Sequence, residues 1–157
     1  MIGCMERARN NLRQATADDR DFLWNLNVTA MKQYVEETWG WHEPFQRSYF
    51  AKHFEPSSRQ VVSLDGIDVG TLCIDQRESC LFVKKISVLP EHQTRGVATA
   101  LLLDALNEAS QRGVPCELQV LKVNPARALY ERLGFRITGK TETHYLMSAA
   151  APGIPAV

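Results

Sequence analysis

Residues Gln93-Thr94-Arg95-Gly96-Val97-Ala98-Thr99 place small side chains where an apolar run, residues 81–89, gives way to an amphipathic segment. Small residues let backbone approach a ligand closely. The first turn of a helix carries N–H groups without intrahelical partners and the positive end of the helix dipole. Strand, small-residue turn and helix start together make a candidate anion site, most simply for a phosphate. Alone, the Gln-x-x-Gly-x-Ala spacing describes a ligand-free tight turn equally well. One predicted strand later comes Asn124-Pro125-Ala126-Arg127-Ala128-Leu129-Tyr130-Glu131-Arg132-Leu133-Gly134-Phe135. Nearer the start, Tyr34, Glu36, Glu37, Trp39, Trp41, His42 and Glu43 combine aromatic faces with carboxylates, chemistry suited to a cationic amine. Each of these also has a plain structural use, the tryptophans as glue between helices and the glutamates as solvated charges.

The elements that must position these groups follow from periodicity and turn signals. Residues 12–16 read as a short strand, and Thr16 or Asp18 offers an N-cap for the helix after it. Phe22, Leu23, Leu26, Ala30 and Met31 recur at helical spacing to about Val35, and Trp39-Gly40-Trp41 breaks the helix. A second helix spans about 44–54, with a loop at 55–58. Strands at 60–64 and 67–74 flank Asp65-Gly66, a two-residue hairpin signal because both positions tolerate positive φ. After Gly96, Val97, Leu101, Leu102, Ala105, Leu106 and Ala109 fall on one helix face, which Gly113 and Pro115 bring to a stop. Residues 116–120 form the next strand, so 81–120 reads as a β-α-β unit with a parallel pair. Asn124 and Pro125 open a short helix closed by Gly134, and residues 135–138 and 144–147 pair as the last strands.

The bulk properties narrow the function classes. With 157 residues the chain has the length of one domain. Its 18 basic and 18 acidic residues cancel, which removes the charge argument for nucleic acid or an anionic membrane. No apolar stretch reaches the roughly 20 residues that span a bilayer, and the first ten lack the apolar core of a secretion signal, so a cytoplasmic protein is expected. Cys4, Cys73, Cys80 and Cys116 form no Cys-x-x-Cys pair, and the four histidines are scattered, so no metal is expected.

The Leu-Tyr-Glu-x-x-Gly-Phe block, one strand after a Gln-x-x-Gly-x-Ala turn and around a β-α-β unit, resembles the GCN5-related N-acetyltransferase (GNAT) superfamily. In element order the resemblance covers residues 12–148, with 1–11 as an N-terminal extension and 149–157 as a disordered tail. It implies a single α/β domain with a mixed central sheet, a splayed parallel strand pair and helices on both faces. It further implies acetyl-CoA as co-substrate. Backbone at Ile86 and Val88 would meet the pantetheine arm and the thioester carbonyl. The N–H groups of Gln93, Thr94, Arg95, Gly96, Val97, Ala98 and Thr99, with the Thr99 hydroxyl, would hold the pyrophosphate. Asn124 would lie beside the pantetheine and Tyr130 near the sulfur. Tyrosine, with an ordinary pKa of about 10, stays protonated above a thiol at about 8.5, so Tyr130 suits the general acid. Asn124 precedes Tyr130 by six residues instead of the family's usual seven, and a helix N-cap is an equally good use for it.

The general base stays open. Related protein N-terminal acetyltransferases often carry glutamate in a Leu-Glu-Val strand context, where this chain has Leu118-Gln119-Val120. Glu117 is expected on the opposite strand face. His144, Glu43, His42 and an ordered water remain candidates. Relatives bind acceptors over residues 30–50 and the last hairpin, which makes Tyr34, Trp39, Trp41, Glu43, Gln119 and His144 the candidate acceptor contacts. Two tryptophans so close together suggest a partly closed pocket, hence a small-molecule amine over a peptide. The competing readings are acetylation of a protein N-terminus or lysine, and a non-catalytic acyl-CoA sensor. Relatives commonly dimerise, which leaves a homodimer open.

Overall fold

A computed structural model describes residues 10–150, so Cys4, residues 1–9 of the expected extension and 151–157 of the expected tail lie outside it. Seven strands form one mixed sheet in the order β1-β2-β3-β4-β5-β7-β6. They are β1 (Asn10–Gln14), β2 (Gln60–Leu64), β3 (Ile67–Gln76), β4 (Leu81–Val88), β5 (Cys116–Leu121), β6 (Arg136–Lys140) and β7 (His144–Ala149). The helices are α1 (Arg20–Trp39), α2 (Glu43–His53), α3 (Val97–Arg112) and α4 (Ala126–Arg132). The β-α-β unit is present: β4 and β5 pair in parallel, Leu81 opposite Cys116 through Val83 opposite Leu118. That ladder holds three residue pairs, while β4 continues to Val88 and β5 to Leu121. β1 begins at Asn10, inside the stretch expected to be an extension, because Asn10 to Gln14 pair antiparallel with Leu64 to Gln60.

The chain divides into two compact units, Met1–Cys73 with Lys85–Val97, and Ile74–Lys84 with Ala98–Val157. In the first, Thr16 opens the helical segment. Its hydroxyl accepts the Asp18 N–H at 3.3 Å while the Asp19 carboxylate accepts the Thr16 N–H at 2.8 Å, a reciprocal cap. Asp19 is also gripped by both Arg13 guanidinium nitrogens at 2.9 and 2.8 Å, which ties the start of the helical segment to β1. Ala15, Leu23, Leu26 and Val61 form the core here, with Phe22, Phe50 and Phe54 packed against it. The β2–β3 hairpin turns at Asp65 (φ 52°) and Gly66 (φ 82°), the positive pair its sequence predicts.

In the second unit, β5 pairs antiparallel with β7, and β7 with β6. Leu81, Leu102, Cys116, Phe135 and Met147 are its largest fully buried side chains. Alternation along β5 buries Cys116, Leu118 and Val120 and turns Glu117 and Gln119 to the other side. Among the described residues no helix is long and apolar enough to cross a membrane.

Candidate active site

In the first unit, β4 runs into a 3-10 turn, Pro90–Arg95, then Gly96 and the start of α3. Gly96 takes φ +77°, and nothing lies within 4 Å of where its Cβ would be, so backbone conformation and not crowding calls for glycine. Gln93, Thr94, Arg95 and Gly96 are exposed, while Val97, 1% exposed, anchors the turn. The Gln93 amide donates to the Val88 carbonyl at 3.0 Å, and Arg95 lies 3.7 Å from Asp65 in the hairpin turn. His92 Nδ1 is buried with no hydrogen-bond partner among the described residues. The Leu89 N–H donates to the Val69 carbonyl at 2.8 Å. Backbone groups alternate sides along a strand, so the N–H groups of Ile86 and Val88 point away from β3. Ala98 and Thr99, in the first turn of α3, are half-buried.

The two tryptophans differ in exposure. Trp39 is 61% exposed at the end of α1. Trp41, two residues on and past Gly40, turns against Trp24 with ring centroids 6.2 Å apart and takes Lys32 over its face at 5.5 Å. Its indole N–H donates to Glu43 Oε1 at 2.9 Å, and Glu43 also pairs with Arg47 at 2.9 Å. The Trp41 hydrogen bond, followed by Arg47 and opposed by desolvation, holds the Glu43 carboxyl below the ordinary glutamate range. Tyr34 is half-buried on α1.

Two cavities adjoin this helical corner. One, of about 230 Å³, is lined by Arg20, Asp21, Trp24, Arg47 and Phe50. The other, of about 160 Å³, reaches Arg59 and Lys85. Burial, reinforced by the neighbouring Arg59 charge, pushes the Lys85 ammonium down to about 8. Sequence reasoning missed this pair. The available signal was Lys84-Lys85 within an apolar strand, since alternation must turn one of two adjacent lysines inward. Lys84 is exposed and Lys85 half-buried.

In the second unit, Asn124 Oδ1 accepts the Ala126 N–H at 2.9 Å, an Asx turn that leads into α4. Tyr130, on α4, is 8% exposed and meets Phe135 edge-on at 6.0 Å. Its hydroxyl makes no hydrogen bond among the described residues. Burial pushes it up to about 12. On β5, Gln119 is exposed opposite Leu146. Glu117 lies two residues away and therefore shares the Gln119 face, contrary to expectation. His144, opposite Leu121, places Nδ1 2.8 Å from the Thr143 hydroxyl, and burial lowers its pKa. Cys80 and Cys116 are buried thiols; desolvation and then the neighbouring Cys80 and Glu117 push Cys116 up to about 12. Among the described residues no group of three His, Cys, Asp or Glu is placed to hold a metal ion.

Comparison with known proteins fits this arrangement. The model of the acetyltransferase (GNAT) family matches residues 22–135. The PaiA N-acetyltransferase from Thermoplasma acidophilum, solved in complex with coenzyme A, superposes with a TM-score of 0.73 at 14% identity, covering 90% of this chain and 98% of that one. The ribosomal-protein-S18-alanine N-acetyltransferase from Escherichia coli gives 0.65 at 20% identity over 93% and 96%. A nourseothricin acetyltransferase gives 0.54 at 31% identity over 60% of this chain and 65% of that one. With the family model matching well over half its length, the chain belongs to the GNAT family and is an N-acetyltransferase.

Proposed function

We propose that the protein transfers acetyl from acetyl-CoA directly to a primary amine of a small molecule, with Tyr130 as general acid. The observation that carries this reading is the Tyr130 hydroxyl, buried, without a hydrogen bond among the described residues and raised to about 12. It holds its proton throughout the physiological range, as a donor to a departing thiolate must.

The residues present fit acetyl-CoA. An exposed turn with a left-handed Gly96 leads into a 16-residue helix, and Arg95 adds a cation. When bound, acetyl-CoA supplies an activated carbonyl and a thiolate leaving group. The N–H groups of residues 93–99 and the Thr99 hydroxyl bind the pyrophosphate. Backbone at Ile86 and Val88, directed away from β3, receives the pantetheine, and the Val88 N–H stabilises the oxyanion. Asn124 offers its amide N–H groups and the second lone pair of Oδ1 to the pantetheine, the first being taken by the Ala126 N–H.

Tyr34, Trp39, Trp41, Glu43, Gln119 and His144 are the proposed acceptor contacts. Among the candidate bases, His144 is the best suited. Its lowered pKa keeps it neutral at pH 7 and able to accept a proton, whereas Glu43 is held below the ordinary glutamate range and is a weaker base. Gln119 has no basic form. The small-molecule preference rests on the cavities of about 160 and 230 Å³ beside α1 and α2, and on the likeness to an acetyltransferase named for nourseothricin.

The test is labelled acetyl-CoA incubated with the protein and a cell extract, which is then split into small-molecule and protein fractions. Label on a metabolite, lost in Tyr130→Phe, is the expected result. Label confined to protein would replace the small-amine reading with protein acetylation. Tight acetyl-CoA binding without label in either fraction would leave an acyl-CoA sensor.

A further inference from the structure

Two cations share one small cavity in the first unit, and among the described residues no carboxylate stands in its walls. Lys85 enters it from β4 and Arg59 from the residue before β2, with the amides of Asn27 and Gln46 and the rings of Phe50 and Phe54 completing the inner lining. Tyr49 and His53, stacked at 4.1 Å on the exposed side of α2, also line it. Neither cation has an ion pair or side-chain hydrogen bond among the described residues. The buried thiol nearby, Cys73, donates to the Ser58 carbonyl at 2.9 Å. Desolvation weighs on both groups. Arginine does not shed its proton in proteins, so the strain of two partly dehydrated like charges falls on the lysine. An anion between them would relieve the repulsion and keep both charged.

We propose that this cavity seats a carboxylate carried on an apolar stem, so that the acceptor amine is of the amino-acid class. This rests on the acetyl-transfer reading given above. The guanidinium fork of Arg59 matches the two oxygens of a carboxylate, and Lys85 adds a point charge. The Asn27 and Gln46 amides can donate to the remaining lone pairs. A volume of about 160 Å³ admits one end of a ligand, and Phe50 and Phe54 give an apolar stem its contact surface. Such an acceptor carries both charges, its amine going to the transfer chemistry and its carboxylate to this cavity.

The experiment uses the full chain and two isosteric probes, phenylacetate and phenylacetamide, titrated calorimetrically against wild type, Arg59→Gln and Lys85→Met. The expected result is that phenylacetate binds wild type at least tenfold more tightly than phenylacetamide, and that each substitution removes this preference while acetyl-CoA affinity holds. Urea unfolding of both variants establishes that they fold, and Lys85→Met exchanges a desolvated cation for an apolar chain of similar length. Equal binding of the two probes, no binding of either, or an undiminished preference in both variants overturns the proposal. So does inorganic phosphate that displaces phenylacetate better than acetate does. The two readings fail separately. Acetyl transfer to amines without a carboxylate, at the same rate in Lys85→Met, sinks the carboxylate seat and keeps the transferase. Phenylacetate bound as expected by a protein that acetylates nothing sinks the transfer reading and keeps the seat.

Discussion

Gly70 on β3 lies so close to the carbonyl oxygen of Ser87 on β4 that no Cβ fits between the two backbones. Ser87 sits between Ile86 and Val88, the backbone proposed to receive the acyl donor. Gly70→Ala is therefore expected to push β4 outward, costing about 1–3 kcal/mol of stability, the usual range for overpacking. Acetyl-CoA affinity should fall with it. Urea unfolding and an acetyl-CoA titration check the two effects together. Unchanged stability would show that β4 yields freely at Ser87.

Tyr130→Phe separates proton donation from packing. The ring keeps its edge-on contact with Phe135, and the lost hydroxyl leaves no partner unsatisfied among the described residues. Stability should move by less than about 0.5 kcal/mol. Turnover should fall by about 100-fold or more, the scale of a missing general acid, with acetyl-CoA affinity nearly constant. Because burial raises this hydroxyl to about 12, wild-type turnover should show no loss from tyrosine ionisation between about pH 8 and 10. Steady-state kinetics across that range decides the matter, and a Phe variant as active as wild type removes Tyr130 from the mechanism.

Acid should expose the Asp19 cap. The Arg13 hydrogen bond, opposed by desolvation and helped by the Thr16 N–H, holds the Asp19 carboxyl below its ordinary 3.8. A depressed native pKa stabilises the fold fully above the unfolded value, and the contribution drains away as pH falls through the native one. Wild type should thus lose stability more steeply than Asp19→Asn below about pH 4. At neutral pH the Asn variant should be weaker by about 1–2 kcal/mol, the scale of a lost cap. Parallel pH–stability curves for the two proteins would contradict this account.

The two tryptophans should behave differently. Trp41→Ala removes a ring packed on Trp24 and covered by Lys32, and should lower stability by about 1–2 kcal/mol. Trp39→Ala, at a 61% exposed position, should lower stability by less than Trp41→Ala does yet raise the acceptor KM. Thermal melts paired with acceptor kinetics test both. An unchanged KM in Trp39→Ala would take that residue out of acceptor binding.

Local signals carried most of the architecture. The Asp65-Gly66 hairpin, the β-α-β unit and the Gly96 turn are each written within a few consecutive residues, and each is found where its pattern places it. α1 runs on to Trp39, past the expected end near Val35, because Glu36, Glu37 and Thr38 continue a helix without adding to its apolar face. β1 starts at Asn10, set by pairing with β2 some fifty residues away and not by its own polar sequence. The Lys85 cavity was illegible for a similar reason. Positions 27, 46, 59 and 85 lie on four separate segments that no spacing rule connects. Trp39 and Trp41 differ for the opposite reason, since neighbours in sequence are separated by a helix terminator at Gly40, with φ 85°, which leaves Trp39 61% exposed while Trp41 packs on Trp24.

The thiols of the second unit bear on how the protein would survive the acetyl-CoA proposed as its co-substrate. Thioesters pass their acyl group to any accessible thiolate. Cys116, wholly enclosed and raised to about 12, is ionised in roughly one molecule in 10⁵ at neutral pH. Cys80, also buried and raised by the same kind of enclosure and by the Glu117 carboxylate, is suppressed in the same direction. Sulfur-to-sulfur transacylation onto the enzyme is thereby closed off at both positions, and two reactive side chains become inert ballast, one just before β4 and one at the start of β5.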